Sequence, residues 1–389
     1  MALPFKYSYR SVWVRRGTAF ATTLGIALVV FVLAGSQMLA YGVQRTLGFT
    51  GSRDKVIVLQ QSAYSEPSSR LRQGVLGVVA SSPGVRSVGE QPLVAGEAVV
   101  QTLVPSALDE SRVVSVLIRG IGPRALELRP SVRVVEGRPP QPGTDEAMVG
   151  RRLLGRFRGL ELGGSIELKP GRPIRVVGAF DAQGSAYDSE IWADLDAVRS
   201  SLGSDGYVSS VTVQLADSNA FDALARDVKA RTNDEAVAER ESSYYARISS
   251  RMSAVITALG GLVALIFSFG AMLGAAITMY AAVEQRTKEI GVFRALGFNR
   301  AHVLLALLME AGVLALLGAG LGLVLALSLS RLEFATFNGA TATQIAFDLQ
   351  PSWSIALGSV GCGIAVGLLG GVFPALKAAR MDPLDALRA

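Results

Sequence analysis

The residues of this sequence that could carry chemistry are few. The chain has one cysteine, Cys362, and one histidine, His302, so a paired-histidine metal site is not expected. A Ser–His–Asp triad is not expected either, because His302 lies at the edge of a predicted membrane span. Five acids occur close together: Asp181, Asp188, Glu190, Asp194 and Asp196. Their spacing matches no calcium-binding pattern, and we interpret them as solvated turns. No GxxxxGK[ST] loop is present. We therefore predict no catalytic residue, metal site or cofactor in this chain.

Glu310 is the one acid within the four predicted spans. An ionisable side chain inside a membrane is often part of an ion pathway, and a relay is one hypothesis for it. However, the apolar runs hold no second acid that could continue a relay. We favour a structural role, in which Glu310 is hydrogen-bonded to a neighbouring helix end or an arginine.

The elements that position these residues include four long apolar runs. Charged residues are absent from 17–44, 252–283, 311–330 and 349–376, and half of the 389 residues are hydrophobic. About 20 apolar residues suffice to cross a bilayer core of about 30 Å, so each run predicts a transmembrane helix. The first run exceeds the 7–15 apolar residues of a cleaved signal peptide, which favours a span. The second would form about 48 Å of helix and is predicted to continue outward as a stalk.

The positive charge is unevenly divided along the chain. Residues 1–16 carry a net charge of +4, 284–300 carry +2 and 377–389 carry +1. With four spans these segments share one side, and the positive-inside rule places them in the cytoplasm. The polar block 45–250 is then extracytoplasmic, in a multi-pass protein of the cell (inner) membrane. This topology accounts for the basic composition, so no nucleic-acid partner is predicted.

The predicted fold class is a membrane protein with four transmembrane helices and an extracytoplasmic mixed α/β domain. Within this domain, βαβ-like units bracket a β-rich inserted subdomain at about 105–205. The predicted segments are a cytoplasmic N-terminal segment (1–16), a first span (17–44), the extracytoplasmic domain (45–250), a second span with its stalk (251–283), a cytoplasmic coupling segment (284–300), a third span (301–330), a short external loop (331–348), a fourth span (349–376) and a cytoplasmic tail (377–389).

Glycines in the spans recur at four-residue spacing, which lets two helix backbones approach closely. They are Gly270 and Gly274, Gly318 and Gly322, and Gly363, Gly367 and Gly371. Packing within one subunit is the favoured interpretation, and contact with a second copy is the alternative.

The sequence EQRTKEIGVFRALGFNR, 284–300, predicts a short amphipathic helix between two spans. Glu284 with Lys288, and Arg286 with Glu289, have the spacing of helical ion pairs. Ile290, Phe293 and Leu296 share one stripe, and Gly297 can end the helix in a left-handed conformation. Asn299 can cap the following span. The apolar stripe suits either a membrane surface or a groove on a cytoplasmic protein, and the pattern alone does not choose between them.

The chain resembles the FtsX-like, or MacB-like, ABC transporter permeases over nearly its whole length. The resemblance rests on EQRTKEIGVFRALGFNR, on LLALLMEAGVLALLGAGLGL with Glu310, and on FPALKAARMDPLDALR. The external stretch VVEGRPPQPGTDEAMVGRRLLGRFRGLELGGSIEL, followed by RPIRVVGAF, is similar to the family's external core domain.

The resemblance implies a permease subunit that passes the movement of an ATPase to its external domain, a process called mechanotransmission. The ATPase, which binds ATP and Mg²⁺, would be a separate chain. Glu284, Arg286, Glu289 and Gly297 would belong to the coupling helix, with Ile290, Phe293 and Leu296 as its anchors. A second permease copy, identical or not, is implied, and a periplasmic adaptor and outer-membrane channel are further candidate partners.

The expected function is export or release of envelope substrates: lipoproteins, peptides, antibiotics or toxins. One alternative is an FtsX-like signal transmitter that controls a cell-wall hydrolase or adaptor. Another is a membrane-anchored interaction or scaffold protein that needs no ATPase.

Overall fold

The computed structural model describes residues 16–107, 109, 111–169, 171–330, 333–338 and 343–382. The chain divides into two compact units. The helical unit contains the described residues of 1–41, 254–332 and 348–389, and the sheet unit contains those of 42–253 and 333–347. Residues 1–15 of the predicted N-terminal segment and most of the predicted tail lie outside the described residues.

The helices of the described chain fall into long apolar ones and short ones. In chain order they are α1 (Arg16–Thr50), α2 (Gly74–Ala80), α3 (Ala125–Leu128), α4 (Leu195–Ser201), α5 (Phe221–Arg231), α6 (Glu241–Gln285), α7 (Thr287–Ala295), α8 (Arg300–Leu329) and α9 (Trp353–Arg380). Helices α1, α6, α8 and α9 are long and apolar enough to cross a membrane, which confirms the four predicted spans.

The sheet unit is built on one large mixed sheet. The strands are β1 (Lys55–Gln60), β2 (Leu71–Arg72), β3 (Ser87–Val88), β4 (Gln91–Pro92), β5 (Val94–Pro105), β6 (Val113–Ile121), β7 (Arg133–Gly137), β8 (Glu146–Gly150), β9 (Ser165–Lys169), β10 (Arg172–Asp181), β11 (Glu190–Asp194), β12 (Tyr207–Val208), β13 (Ser210–Gln214), β14 (Ala236–Arg240), β15 (Glu333–Asn338) and β16 (Thr343–Asp348). The large sheet has the order β14-β1-β13-β5-β6-β11-β8-β10-β7, with β9 paired to β10.

The predicted βαβ-like units are present and are interleaved in this sheet. Strands β1 and β5 flank α2 in sequence, and β13 and β14 flank α5, while the spatial order is β14-β1-β13-β5. This arrangement is the split βαβ, or ferredoxin-like, pattern. The inserted β-rich segment does not form a sheet of its own, because β6 pairs antiparallel with β5 and so extends the same sheet.

One face of the sheet is covered by helices and buries two apolar cores. In the first, Val56, Val58, Val211 and Val213 pack with α2 and α5. In the second, residues of β5, β6, β8, β10 and β11 pack with Val198 of α4. Because side chains alternate along a strand, the residues between these positions lie on the opposite face, where the charged residues described below are found.

The structure shifts several predicted boundaries. Helix α6 begins at Glu241, ten residues before the predicted stalk, and its 45 residues span about 68 Å. The predicted coupling helix is divided, because Glu284 belongs to α6 and the chain leaves helical geometry at Arg286 before α7 begins. The predicted short external loop contains the paired strands β15 and β16. Helix α9 runs four residues beyond the predicted fourth span and contains Pro374.

Candidate functional site

Helix α7 ends in a Schellman motif. Gly297 has a φ of +92°, the left-handed conformation that glycine adopts without strain. The Phe298 N–H donates to the Phe293 carbonyl at 3.1 Å, and the Gly297 N–H donates to the Arg294 carbonyl at 3.2 Å. The rings of Phe293 and Phe298 meet edge to face with centroids 5.7 Å apart. Asn299 stands at the N-cap of α8, but its side chain makes no capping hydrogen bond.

The predicted apolar stripe of α7 does not face one direction. Ile290 is 7% exposed and packs among residues of α6, α8 and α9, including Val283, Leu307 and Ala378. Leu296, in contrast, is 72% exposed and Val292 is 44% exposed. Ile290 therefore holds α7 against its own helical unit, and the prediction that it anchors a partner is wrong because its side chain is already buried.

The exposed face of α7 consists of five residues: Lys288, Glu289, Val292, Ala295 and Leu296. Glu289, Val292 and Leu296 follow at intervals of three and four residues, so they lie along one side of the helix. An apolar pair beside two charged residues has the pattern of a helix that docks in a groove. We call these five residues the docking face.

Arg286 and Glu310 form an ion pair within the helical unit. The Arg286 Nη1–H donates to Glu310 Oε2 at 3.2 Å, and the two side chains are 17% and 10% exposed. Arg286 is the residue between α6 and α7, and Glu310 lies on α8. The pair therefore connects the start of α7 to the neighbouring span.

We expect a double-mutant cycle on this pair to give a coupling energy of about 0.5–3 kcal/mol, because both groups are largely shielded from water. The variants are Glu310→Gln, Arg286→Met and the double variant, and the measurement is the free energy of unfolding in detergent. A control cycle combines Glu310→Gln with Lys288→Met, which removes a positive charge from the docking face. Equal coupling energies in the two cycles would show that the Arg286 contact is not specific.

The structure separates the seven predicted packing glycines into two groups. A Cβ atom on Gly318 would stand 2.7 Å from the Thr23 carbonyl oxygen of α1, and Gly322 meets the backbone of Ala27 in the same helix. Gly363, Gly367 and Gly371 of α9 lie against Ala319, Ala315 and Ala311 of α8. A Cβ on Gly270 or Gly274 of α6 would meet no atom within 4 Å. Of these seven glycines, those of α8 and α9 thus pack closely inside the chain, whereas Gly270 and Gly274 lie on a face of α6 that no other described residue closely approaches.

Three of the five acids that we interpreted as residues of solvated turns are buried in the sheet unit. Glu190, Asp188 and Asp194 are 4%, 3% and 8% exposed. Asp194 caps α4, since its side chain accepts from the Asp196 and Ala197 N–H groups. The interpretation was wrong for these three acids, because an acid next to a strand can be buried when backbone N–H groups or an arginine satisfy it. It is right for Asp196, whose side chain is exposed.

Glu190 belongs to an ion network on the face of the sheet opposite the two apolar cores. At its centre is Arg119 of β6, which is 1% exposed. Its guanidinium group makes five hydrogen bonds of 2.6–3.0 Å, to the carboxylates of Glu66, Glu97 and Glu190. These use all five N–H donors of the arginine.

Arg129, the residue that follows α3, extends the network. Its Nη1 and Nη2 groups donate to the two oxygens of Glu97 at 2.5 and 2.9 Å. Its guanidinium carbon lies 5.0 Å from the ring centroid of Tyr187 and 5.6 Å from that of Trp192. Burial alone would raise the pKa of Glu97, but Arg129 and Arg119 hold it below its usual value. Glu97 is therefore ionised, and we call Arg119, Arg129, Glu66, Glu97 and Glu190 the ion network.

The ion network was not predicted from the sequence, although a signal for it was present. Glu97 and Arg119 each interrupt an apolar strand, in VAGEAVV and SVLIRGI. A charge at a position where both strand neighbours are apolar is rarely left unpaired. Finding opposite charges in two such strands predicts a buried ion pair.

Two family models match the chain. A model of the MacB-like periplasmic core domain matches residues 19–231, more than half of the chain. A model of the FtsX-like permease C-terminal region matches residues 261–383, which include α7, α8 and α9.

Individual relatives are similar over part of the chain. The macrolide export ATP-binding/permease protein MacB of Neisseria gonorrhoeae is 28% identical over 226 residues, which are 56% of this chain and 34% of that protein. The uncharacterised ABC transporter permease MJ1507 of Methanocaldococcus jannaschii is 26% identical over 59% of this chain and 58% of its own length. The chain thus spans about a third of the Neisseria protein's length.

A solved structure is also similar. The periplasmic region of MacB from Actinobacillus actinomycetemcomitans matches 52% of this chain and 94% of its own length, at 12% identity and a TM-score of 0.36. The two models together match most of α1, most of the sheet unit, the later part of α6, the docking face, α8 and α9, and they leave residues 232–260 between them unmatched. The chain belongs to the family of MacB-like and FtsX-like ABC transporter permeases.

Proposed function

We propose that this chain is the membrane subunit of an ABC transporter in which an ATPase docks on α7 and its movement passes through α6 to the periplasmic domain. The observation that carries the proposal is the docking face, with Val292 and Leu296 exposed on a short helix that Ile290 and the Arg286–Glu310 pair hold in place. On this proposal α7 and both termini are cytoplasmic.

The shape of α7 supports docking on a protein groove rather than on a lipid surface. An interfacial helix buries a broad apolar face in the headgroup region. The docking face has only Val292, Ala295 and Leu296 as apolar residues, while the most apolar part of α7, around Ile290, faces inward. A narrow exposed pair flanked by charges fits a groove, where few anchors supply most of the binding energy.

Helix α6 supports the transmission step. It is continuous from Glu241 to Gln285, ends one residue before α7, and contains no proline. A helix of about 68 Å is more than twice the thickness of a bilayer core, so one helix can reach from the docking face to the periplasmic domain. The work done there would be export or release of an envelope substrate such as a lipoprotein, peptide, antibiotic or toxin.

A second permease copy belongs to this proposal. The open Gly270–Gly274 face of α6 continues along one side of the helix with Leu262, Ile266 and Ile277, which are 55%, 61% and 69% exposed. Glycines at four-residue spacing on an open face of an apolar helix are suited to contact with another helix.

We expect Leu296→Asp to weaken binding of an ABC ATPase co-expressed with the chain by about tenfold or more, because a charge replaces an apolar anchor. Stimulated ATP turnover should fall with binding. The measurement is co-purification and ATP turnover of the full chain in detergent. Ile290→Asp is not a suitable test, since it disrupts packing within the helical unit.

Leu162→Asp is the matched control, because Leu162 is a similarly exposed leucine of the periplasmic domain, at 49%. It should leave binding and turnover unchanged. Retention of both by the Leu296→Asp and Val292→Asp variants would overturn the docking assignment and favour the scaffold alternative.

A further inference from the structure

The first turns of α6 rest on the face of the sheet that carries the ion network. We call residues 241–253 the root of α6; they belong to the same compact unit as the sheet. The Tyr244 Oη accepts from the Glu66 N–H at 3.1 Å. Glu241 accepts from the Tyr187 hydroxyl at 3.3 Å and from the Ser52 N–H at 3.0 Å. Tyr245 donates to the Tyr187 hydroxyl at 3.2 Å.

These contacts lead directly into the ion network. Glu66, whose backbone binds Tyr244, also supplies two of the five acceptor contacts of Arg119 through its carboxylate. Tyr187, which binds Glu241 and Tyr245, lies under the guanidinium groups of Arg119 and Arg129. The carboxylates around Arg119 come from three separate places in the chain: the segment after β1, strand β5 and strand β11.

The nature of these contacts determines how the root can move. Apolar surfaces can slide past one another at little cost, because the hydrophobic effect is not directional. Buried charge-assisted hydrogen bonds cannot, because a small displacement leaves an ionised group unpaired away from water. Tyr244, Glu241, Glu66 and Arg119 are all at most 5% exposed.

We propose that the ion network, together with the hydroxyl contacts of Tyr244 and Tyr187 that join it to the root, is a clamp that makes the root of α6 and strands β5, β6 and β11 one mechanical body. Tyr244 and Tyr187 then transmit a displacement of the root to the sheet. Arg119 distributes it among the three strands, because its guanidinium group binds carboxylates from different parts of the chain. The rigid attachment is a property of this chain alone, whereas its use in transmission rests on the function proposed above.

The test uses spin labels on the full chain in nanodiscs, without an ATPase. The single cysteine is removed by Cys362→Ala, and labels are placed at the exposed positions Ser243→Cys on the root and Leu103→Cys on β5. We expect one narrow distance population. The double variant Tyr244→Phe/Tyr187→Phe cuts the hydroxyl contacts but keeps the ion network and both rings, and it should lose the single population.

Tyr207→Phe is the control, because it removes a hydroxyl from the same domain at a residue that contacts neither the root nor the ion network; its ring lies beside Arg70. It should keep the narrow distribution. A broad distribution in the parent protein, or an unchanged narrow one in the folded double variant, would overturn the clamp. Circular dichroism confirms that each variant is folded.

A second arm adds an ABC ATPase. In the double variant Tyr244→Phe/Tyr187→Phe, ATPase binding to α7 should be retained. Any nucleotide-dependent change in the distance between labels at Leu103 and at the docking-face residue Lys288 should be lost. Failure of the ATPase to bind even the parent protein would overturn the proposed function and leave the result of the first arm intact. A distance change that survives in the double variant would overturn the clamp's part in transmission.

Discussion

Replacing Arg119 by methionine is expected to lower the free energy of unfolding of the periplasmic domain by about 3–5 kcal/mol, the range for removing one partner of a buried ion pair. The change leaves the carboxylates of Glu66 and Glu190 without their arginine, in a site from which water is excluded. Since domains are stable by about 5–15 kcal/mol, this loss could unfold the domain at ambient temperature.

Arg119→Lys separates the charge from the geometry. Lysine keeps the positive charge but offers three donors from a single nitrogen, where the three carboxylates now receive five bonds from a planar group. We expect it to recover only part of the lost stability. Full recovery would mean that charge alone, and not the shape of the guanidinium group, holds the carboxylates together.

The measurement is urea unfolding of the full chain in detergent, followed by the fluorescence of Trp192. This tryptophan is fully buried and its indole N–H donates to Glu190 at 2.8 Å. Trp13 and Trp353 are replaced by phenylalanine so that Trp192 alone reports. Arg138→Met is the control, since Arg138 is 46% exposed in its pair with Glu146, and it should leave the midpoint nearly unchanged. Equal midpoints for Arg119→Met and Arg138→Met would contradict the prediction.

The sequence indicates the spans and the α/β character of the domain because both depend on local patterns. The charge-free runs mark the four helices, and the helical spacing around Leu224 and Val228 marks α5. The order of the strands depends on pairings between residues far apart in the chain, such as Val56 with Arg240. No local pattern encodes such pairs, so the single continuous sheet could not be predicted.

The difference between local patterns and contacts of distant residues also decides what could be predicted of the candidate site. The amphipathic character of α7 and the left-handed Gly297 follow from residues within a few positions of one another. Which apolar residue faces inward depends on α6, α8 and α9, and their packing places Ile290 inside and Leu296 outside. The clamp was missed for this reason too, since Tyr244 and Glu66 are 178 residues apart in sequence.

A second large loss of stability is expected when a closely packed glycine of the spans is replaced. Gly318→Leu should prevent α8 from packing on α1, because even a Cβ there would stand 2.7 Å from the Thr23 carbonyl oxygen and 3.0 Å from Ile26 Cβ. Overpacking a tight core costs about 1–3 kcal/mol, and more where backbone atoms are the obstacle. We expect a lower melting temperature and a reduced yield of folded protein in detergent.

Gly270→Leu is the matched variant on α6, where a Cβ meets no atom of the same chain within 4 Å. It should leave the melting temperature of the monomer unchanged or raised, because leucine favours a helix over glycine by roughly 0.5–1 kcal/mol.

If a second copy packs on this face, the same variant should shift the protein from dimer to monomer in light scattering, with its fold intact. A dimer that survives Gly270→Leu and Gly274→Leu would place the contact between copies on another helix. Destabilisation equal to that of Gly318→Leu would contradict the open face itself. The two glycine motifs are alike in sequence, and only the neighbouring helix decides that one is packed inside the subunit while the other stays open.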